Sequence, residues 1–196
     1  VTEQNTGRFT FSQQNGNYNV SVLDTGNFTV SAATLNYYNS VPLVHTAYFN
    51  SINQTDSLND FAFQPNGVIN DVCINLTPVS LFRSGFDATY YISYINNGTT
   101  TLTPTVIFFP DANVSFTSAN VTPVSVTTDS VVWNIGALTP FQSGNIVVTV
   151  NVHTGLPIGS LINSRVRIEP VAGDANPGCN YSEWGVFTTG SFDPND

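Results

Sequence analysis

Along most of this chain apolar residues fall at every second position, and Gly, Pro or Asn interrupts them about every ten residues. A period of two is the signature of strands with one face buried, and strands at that spacing indicate antiparallel sandwiches. Phe9 and Phe11 alternate with Arg8, Thr10 and Ser12, and Tyr18, Val20 and Val22 follow a Gln13-Gln14-Asn15-Gly16-Asn17 turn cluster. That pattern predicts a hairpin. Phe28 to Val30, Leu43 to Phe49 and Leu58 to Phe63 are three more predicted strands, closed by the Gln64-Pro65-Asn66-Gly67 turn. A second series runs through Val72, Ile74 and Leu76, then Ala88, Tyr90, Ile92 and Tyr94, then Val106 to Phe109, with Val114 and Phe116 after it. It continues with Val131, Trp133 and Ile135, with Ile146, Val148, Val150 and Val152, with Ile162, Val166 and Ile168, and with a last strand from Gly185 to Thr189. The expected fold class is all-β: two tandem antiparallel β-sandwiches, residues 1–67 and 68–196, the first of them partial.

Charge narrows the function. There is no Lys, and the only cations are Arg8, Arg83, Arg165 and Arg167, against a net charge of −9. Four arginines do not supply the basic patch that a phosphate backbone requires, so nucleic acid is not an expected partner. Anionic membranes are disfavoured for the same reason. No apolar run reaches the 18 residues or so of a membrane span, and Val1 begins no basic or apolar leader. Cys73 and Cys179 form no CxxC motif, and the two histidines complete no zinc pattern. A disulfide or two buried thiols remain, and the acidic, Asn/Thr-rich composition favours the disulfide.

Particular stretches resemble a known module. They are Asn66-Gly67-Val68-Ile69-Asn70-Asp71, Arg83-Ser84-Gly85-Phe86-Asp87-Ala88-Thr89-Tyr90 and Asn96-Asn97-Gly98-Thr99-Thr100-Thr101-Leu102. Val132-Trp133-Asn134-Ile135, Leu138-Thr139-Pro140-Phe141, Pro170-Val171-Ala172-Gly173-Asp174-Ala175 and Gly190-Ser191-Phe192-Asp193-Pro194-Asn195-Asp196 continue the match in order. Together they resemble a repeated immunoglobulin-like module of large cell-surface and secreted Bacteroidota proteins, commonly exported by type IX secretion. Gly7-Arg8-Phe9-Thr10-Phe11, Asn15-Gly16-Asn17-Tyr18-Asn19-Val20 and Asn59-Asp60-Phe61-Ala62-Phe63 make residues 1–67 similar to a transthyretin-like or carboxypeptidase-regulatory-like sandwich. Pro177-Gly178-Cys179-Asn180 departs from the Asp/Asn-rich stretch usual in the module. The resemblance implies an extracellular protein that has passed through a periplasm, and a segment of a longer chain with a sorting domain further on. It also implies that first and last strands run side by side, which would bring Cys73 and Cys179 into bridging range.

No catalytic constellation is legible. His45 and His153 lie in no nucleophile setting, and Glu169, Asp174 and Glu183 are not aimed at a cleft by anything in the sequence. The chain is expected not to be an enzyme and to need no cofactor. Calcium is the one ion its acidic turns suit, through Asp174 with Asn176 and through Asp193 with Asp196, although no complete ligand loop exists. Tyr37, Tyr38 and Trp184 are candidates for stacking on sugars. Ser57 and Ser130, in Asp-Ser-apolar triplets, resemble Bacteroidota O-glycosylation sites. The expected function is a non-catalytic stalk, adhesion or presentation unit, and the alternative is a carbohydrate-binding module attached to an exported hydrolase. Expected partners are neighbouring modules of the same polypeptide, glycans, secretion machinery or other surface proteins.

Overall fold

A computed structural model describes residues 1–190 of the chain. Every named strand pairing among them is antiparallel, and their only helix is one 3-10 turn. The fold is all-β, in two compact units that divide after Gly67.

The first unit holds β1 (Thr2–Glu3), β2 (Gly26–Ser31), β3 (Tyr38–Val41), β4 (His45–Phe49) and β5 (Ala62–Pro65). β1, β2 and β4 form one sheet, and β3 and β5 form another. The hairpin expected around Gln13 to Asn17 is only half realised. The turn closes, with Gln13 N–H donating to the Asn17 carbonyl at 2.8 Å. Its flanks gain no ladder: Phe9 makes one isolated bridge to Thr2, and residues 18–22 join no strand. Alternation without a partner strand does not stabilise an extended segment. The strand expected at Leu58 to Phe63 begins later, at Ala62, and includes Pro65, which an edge position tolerates. Phe28 is the one buried apolar side chain among the residues of this unit, so two small sheets exist here without a filled core between them.

The second unit is a sandwich. β6 (Val72–Pro78), β7 (Asp87–Asn96), β12 (Ser143–Val152) and β9 (Val114–Ala119) make one sheet in the order β6-β7-β12-β9. β10 (Ser125–Val126), β11 (Val131–Asn134), β8 (Thr105–Phe109), β13 (Leu161–Glu169) and β14 (Tyr181–Phe187) make the other in the order β10-β11-β8-β13-β14. The period of two sends alternate side chains inward. Val72, Ile74 and Leu76 meet Ala88, Tyr90 and Ile92, with Ile146, Val148, Val150 and Val152 beside them; Val106, Phe108, Trp133, Ile162, Val166 and Ile168 come from the facing sheet. Trp133 is fully buried and its indole N–H donates to the Val121 carbonyl at 2.9 Å, so its one polar atom is satisfied. The last strand spans Tyr181–Phe187 and not Gly185 to Thr189 as expected. Its seven-residue register is fixed by pairing with β13, from Leu161↔Phe187 to Arg167↔Tyr181.

Tyr90 adds a polar strut across the core. Its hydroxyl donates to Ser164 Oγ at 3.1 Å, and Ser164 Oγ also accepts the Asp111 N–H at 3.0 Å. Burial pushes the phenol up to about 12. A phenol whose folded pKa lies above its unfolded value favours folding while protonated. That contribution is complete below about pH 10, the unfolded value, and disappears as pH rises towards about 12. Stability of the second unit is therefore expected to fall over that interval, and Tyr90→Phe to flatten the fall. Urea unfolding of both proteins between pH 9 and 12, as an order-of-magnitude window set by the same linkage, checks this; parallel pH profiles would remove the assignment.

Candidate functional site

The most elaborate arrangement in the chain lies where the start of β6 meets the segment before β14. Pro170 ends β13 and the chain turns through Gly173 to a 3-10 turn, η1 (Pro177–Asn180), which leads into β14. Cys73 on β6 and Cys179 in η1 are joined by a disulfide, with Cα atoms 4.8 Å apart and a sequence separation of 106. β6 and β14 belong to different sheets, so the bridge crosses the sandwich at its edge, where these strands come together, and is not a link within one sheet.

Polar side chains complete the junction. Asp174 Oδ2 accepts the Val72 N–H at 2.9 Å, and its Oδ1 accepts the Asn176 N–H at 2.8 Å. Asn180, fully buried, donates from Nδ2 to the Val72 carbonyl at 2.9 Å and to Asp174 Oδ2 at 3.3 Å. Ser182 Oγ accepts the Leu76 N–H at 3.0 Å. Two outward amides of edge strand β6 are thus satisfied by side chains, and Pro78 at its end has no amide to offer, which leaves the edge fewer donors for strand addition. Asn70 extends the clamp through a parallel bridge to Asp174, and its carbonyl accepts the Ala175 N–H at 2.8 Å.

The Asn96-Asn97-Gly98 turn buttresses the same end. Asn96 is fully buried, donates to the Thr100 and Leu138 carbonyls at 2.7 and 2.8 Å, and accepts the Gly98 N–H at 2.9 Å. A Cβ on residue 98 would sit 2.5 Å from the Ile69 carbonyl oxygen, so only glycine fits. Asn97 Nδ2 lies 3.3 Å from Cys73 Sγ, and buried Asp71 places Oδ1 3.5 Å from Cys73 Sγ and 3.7 Å from Cys179 Sγ.

Asp71, Cys73 and Cys179 have the mutual distances of a metal triad. Their sulfurs are bonded to each other, however, and a metal ligand must be a thiolate. Calcium needs six to eight oxygens. Asp174 spends both carboxylate oxygens on protein N–H donors, and Asn176 meets it with a backbone N–H. Asp193 and Asp196 lie outside the described residues.

The other candidate residues are dispersed. Tyr38 opens β3 and is not in a loop; it and Tyr37, which has φ 64°, are both half-buried in the first unit. Trp184, 47% exposed on β14, belongs to the second. Ser57 is exposed ahead of β5. Ser130 is half-buried in a tight turn with Thr127, their hydroxyls 3.1 Å apart. His45 Nε2 meets the Asp60 carbonyl at 2.8 Å. His153 Nε2 meets Ser115 Oγ at 2.8 Å, a pair separated by 38 residues that sequence reading did not find. The pair lies on the exposed side of β9.

No protein-family model matches the chain, and no curated protein matches its sequence. Among solved structures it is similar to the CARDB domain of a Pyrococcus furiosus protein crystallised with two metal ions, at 14% identity over 62% of this chain and 90% of that one, with a TM-score of 0.42. It is similar also to the bacterial hydrophobin BslA, at 12% identity over 65% of this chain and all of that one, with a TM-score of 0.42. BcpA, the major pilin subunit of Bacillus cereus, aligns at 10% identity over 85% of this chain and 55% of that one, with a TM-score of 0.37. No helix among the described residues is long and apolar enough to cross a membrane.

Proposed function

We propose that the chain is a non-catalytic spacer of an extracellular bacterial surface protein, and that its second unit is a load-bearing immunoglobulin-like module. The observation that carries this reading is the position of the disulfide. It joins the entry strand β6 to the turn before the exit strand β14. A pull on the module's two ends then passes from residue 73 through the bridge to residue 179. The intervening strands, and the core they enclose, carry none of it. A disulfide also requires an oxidising compartment, which fits a surface or secreted location. The Bacteroidota and type IX export reading rests on the resemblance quoted above.

Single-molecule force extension of the whole chain tests the proposal. Oxidised protein should release only the segments outside the bridge. After reduction the 106-residue loop should add roughly 350–380 Å of contour length at about 3.3–3.6 Å per residue. Equal unfolding lengths in both states would overturn the load-bearing role.

A further inference from the structure

At the start of β6 one carboxylate faces both sulfurs of the bridge. Asp71 is buried, at 3% exposed, and its Oδ1 lies 3.5 Å from Cys73 Sγ and 3.7 Å from Cys179 Sγ. A disulfide sulfur carries no proton, so neither sulfur donates to this oxygen. Asn97 Nδ2 approaches Cys73 Sγ at 3.3 Å, a contact that strengthens when the sulfur is an anion. The ligating atoms of Asp71, Cys73 and Cys179 all lie within 4.8 Å of one another. Both cysteines are only partly buried, so the cluster is not sealed from solvent. The hydrogen bonds from Val72 and Asn180 to Asp174, and from Asn180 to Val72, hold the two segments together independently of the bridge.

We propose that in the reduced chain Asp71, Cys73 and Cys179 bind a zinc ion. Bonds of about 2.3 Å to sulfur and about 2.1 Å to oxygen, at a tetrahedral angle, put a ligand oxygen about 3.6 Å from a ligand sulfur. Asp71 Oδ1 already stands at that separation from both sulfurs. The sulfurs themselves must part to about 3.8 Å, the tetrahedral sulfur–sulfur edge for the same bonds, and reduction frees them to do so. A dithiol reductant passes two electrons and two protons to the disulfide, which becomes two thiols, and leaves as its own disulfide. Zinc then displaces both thiol protons to solvent, and each thiolate and the carboxylate donates a lone pair to the ion. The fourth position is left to water. Two thiolates select zinc over calcium, which takes six to eight oxygens. The ion ties β6 to η1 in the reduced chain as the bridge does in the oxidised one, so the module's ends are held in either redox state.

Zinc uptake by the full chain, read by competition with a chromophoric chelator, tests the proposal. Reduced wild type is expected to take up one ion per chain and oxidised wild type none, and equimolar calcium should not displace the ion. Asp71→Asn keeps the backbone carbonyl that accepts the Asn97 and Gly98 N–H groups. With both thiols still present it should weaken zinc binding by roughly tenfold or more. X-ray absorption at the zinc edge of loaded wild type should show two sulfur neighbours at about 2.3 Å and oxygen neighbours at about 2.0–2.2 Å, a reading that does not depend on how well Asp71→Asn folds. No uptake by reduced wild type overturns the proposal, as do equal uptake in both redox states, displacement by calcium, undiminished binding by Asp71→Asn, or a zinc shell without two sulfurs. Force extension of the reduced chain is read with a chelator present, so the zinc site and the load-bearing role stand or fall separately.

Discussion

Replacing Cys179 by alanine should lower the unfolding free energy of the second unit by about 4–5 kcal/mol, the chain-entropy value for a loop of this size. The loop spans 106 residues, so the opened unfolded chain gains nearly the largest entropy one cross-link can withhold. The loss is a large part of a typical total of about 5–15 kcal/mol. The unit should still fold. Its core stays intact, and Asp174, Asn180 and Ser182 still tie β6 to the segment around η1 and β14. The thermal midpoint should drop by roughly 12–20 °C for a unit of this length. Cys73→Ala/Cys179→Ala should lose no more than the single variant, because one bond is removed in either case. Urea unfolding of the single and double variants beside oxidised wild type measures all three. A shift below 1 kcal/mol, the scale of an ordinary surface substitution, would mean that the other contacts already restrain the two ends.

How far the sequence foretold this arrangement depends on which physical signal each part rests on. The strands of the second unit were legible because their period of two is enforced by burial. Ile146, Val148, Val150 and Val152 all reach the core, as do Ile162, Val166 and Ile168. Phe9 and Phe11 show the same period and join no strand; at 69% and 82% exposed they gain nothing from burial. Alternation states what a strand would bury, and a partner decides whether it does. The clamp was half legible. Two cysteines and an oxidising composition suggested a bridge, and their places in the strand order suggested its reach. Asp174 was legible as a carboxylate in an acidic turn, but its hydrogen bond to the Val72 N–H was not, because the two residues are 102 apart in sequence.

Separated at Gly67, the two units should behave in opposite ways. Among the described residues of the second unit, twenty buried apolar side chains form one cluster between two sheets. That piece should unfold cooperatively when expressed alone. Residues 1–67 have Phe28 as their one buried apolar side chain, while Leu23, Leu43, Ile52 and Leu58 are 74–88% exposed. Full burial of one phenylalanine returns about 1.5–3 kcal/mol, whereas ordering each residue's backbone costs roughly 1–2 kcal/mol. Electrostatics does not alter the balance. The Thr6 hydroxyl, with the N–H groups of Asn5 and Thr6, holds the Glu3 carboxylate below its usual range. That linkage favours folding at neutral pH and is lost as pH falls through the lowered value, but it restrains only the turn that follows β1. The isolated piece is therefore expected to show no cooperative transition by circular dichroism or calorimetry, and rapid cleavage by a nonspecific protease. A sharp melt from residues 1–67 comparable with that of residues 68–196 would show that its two small sheets are stabilised by something other than apolar burial.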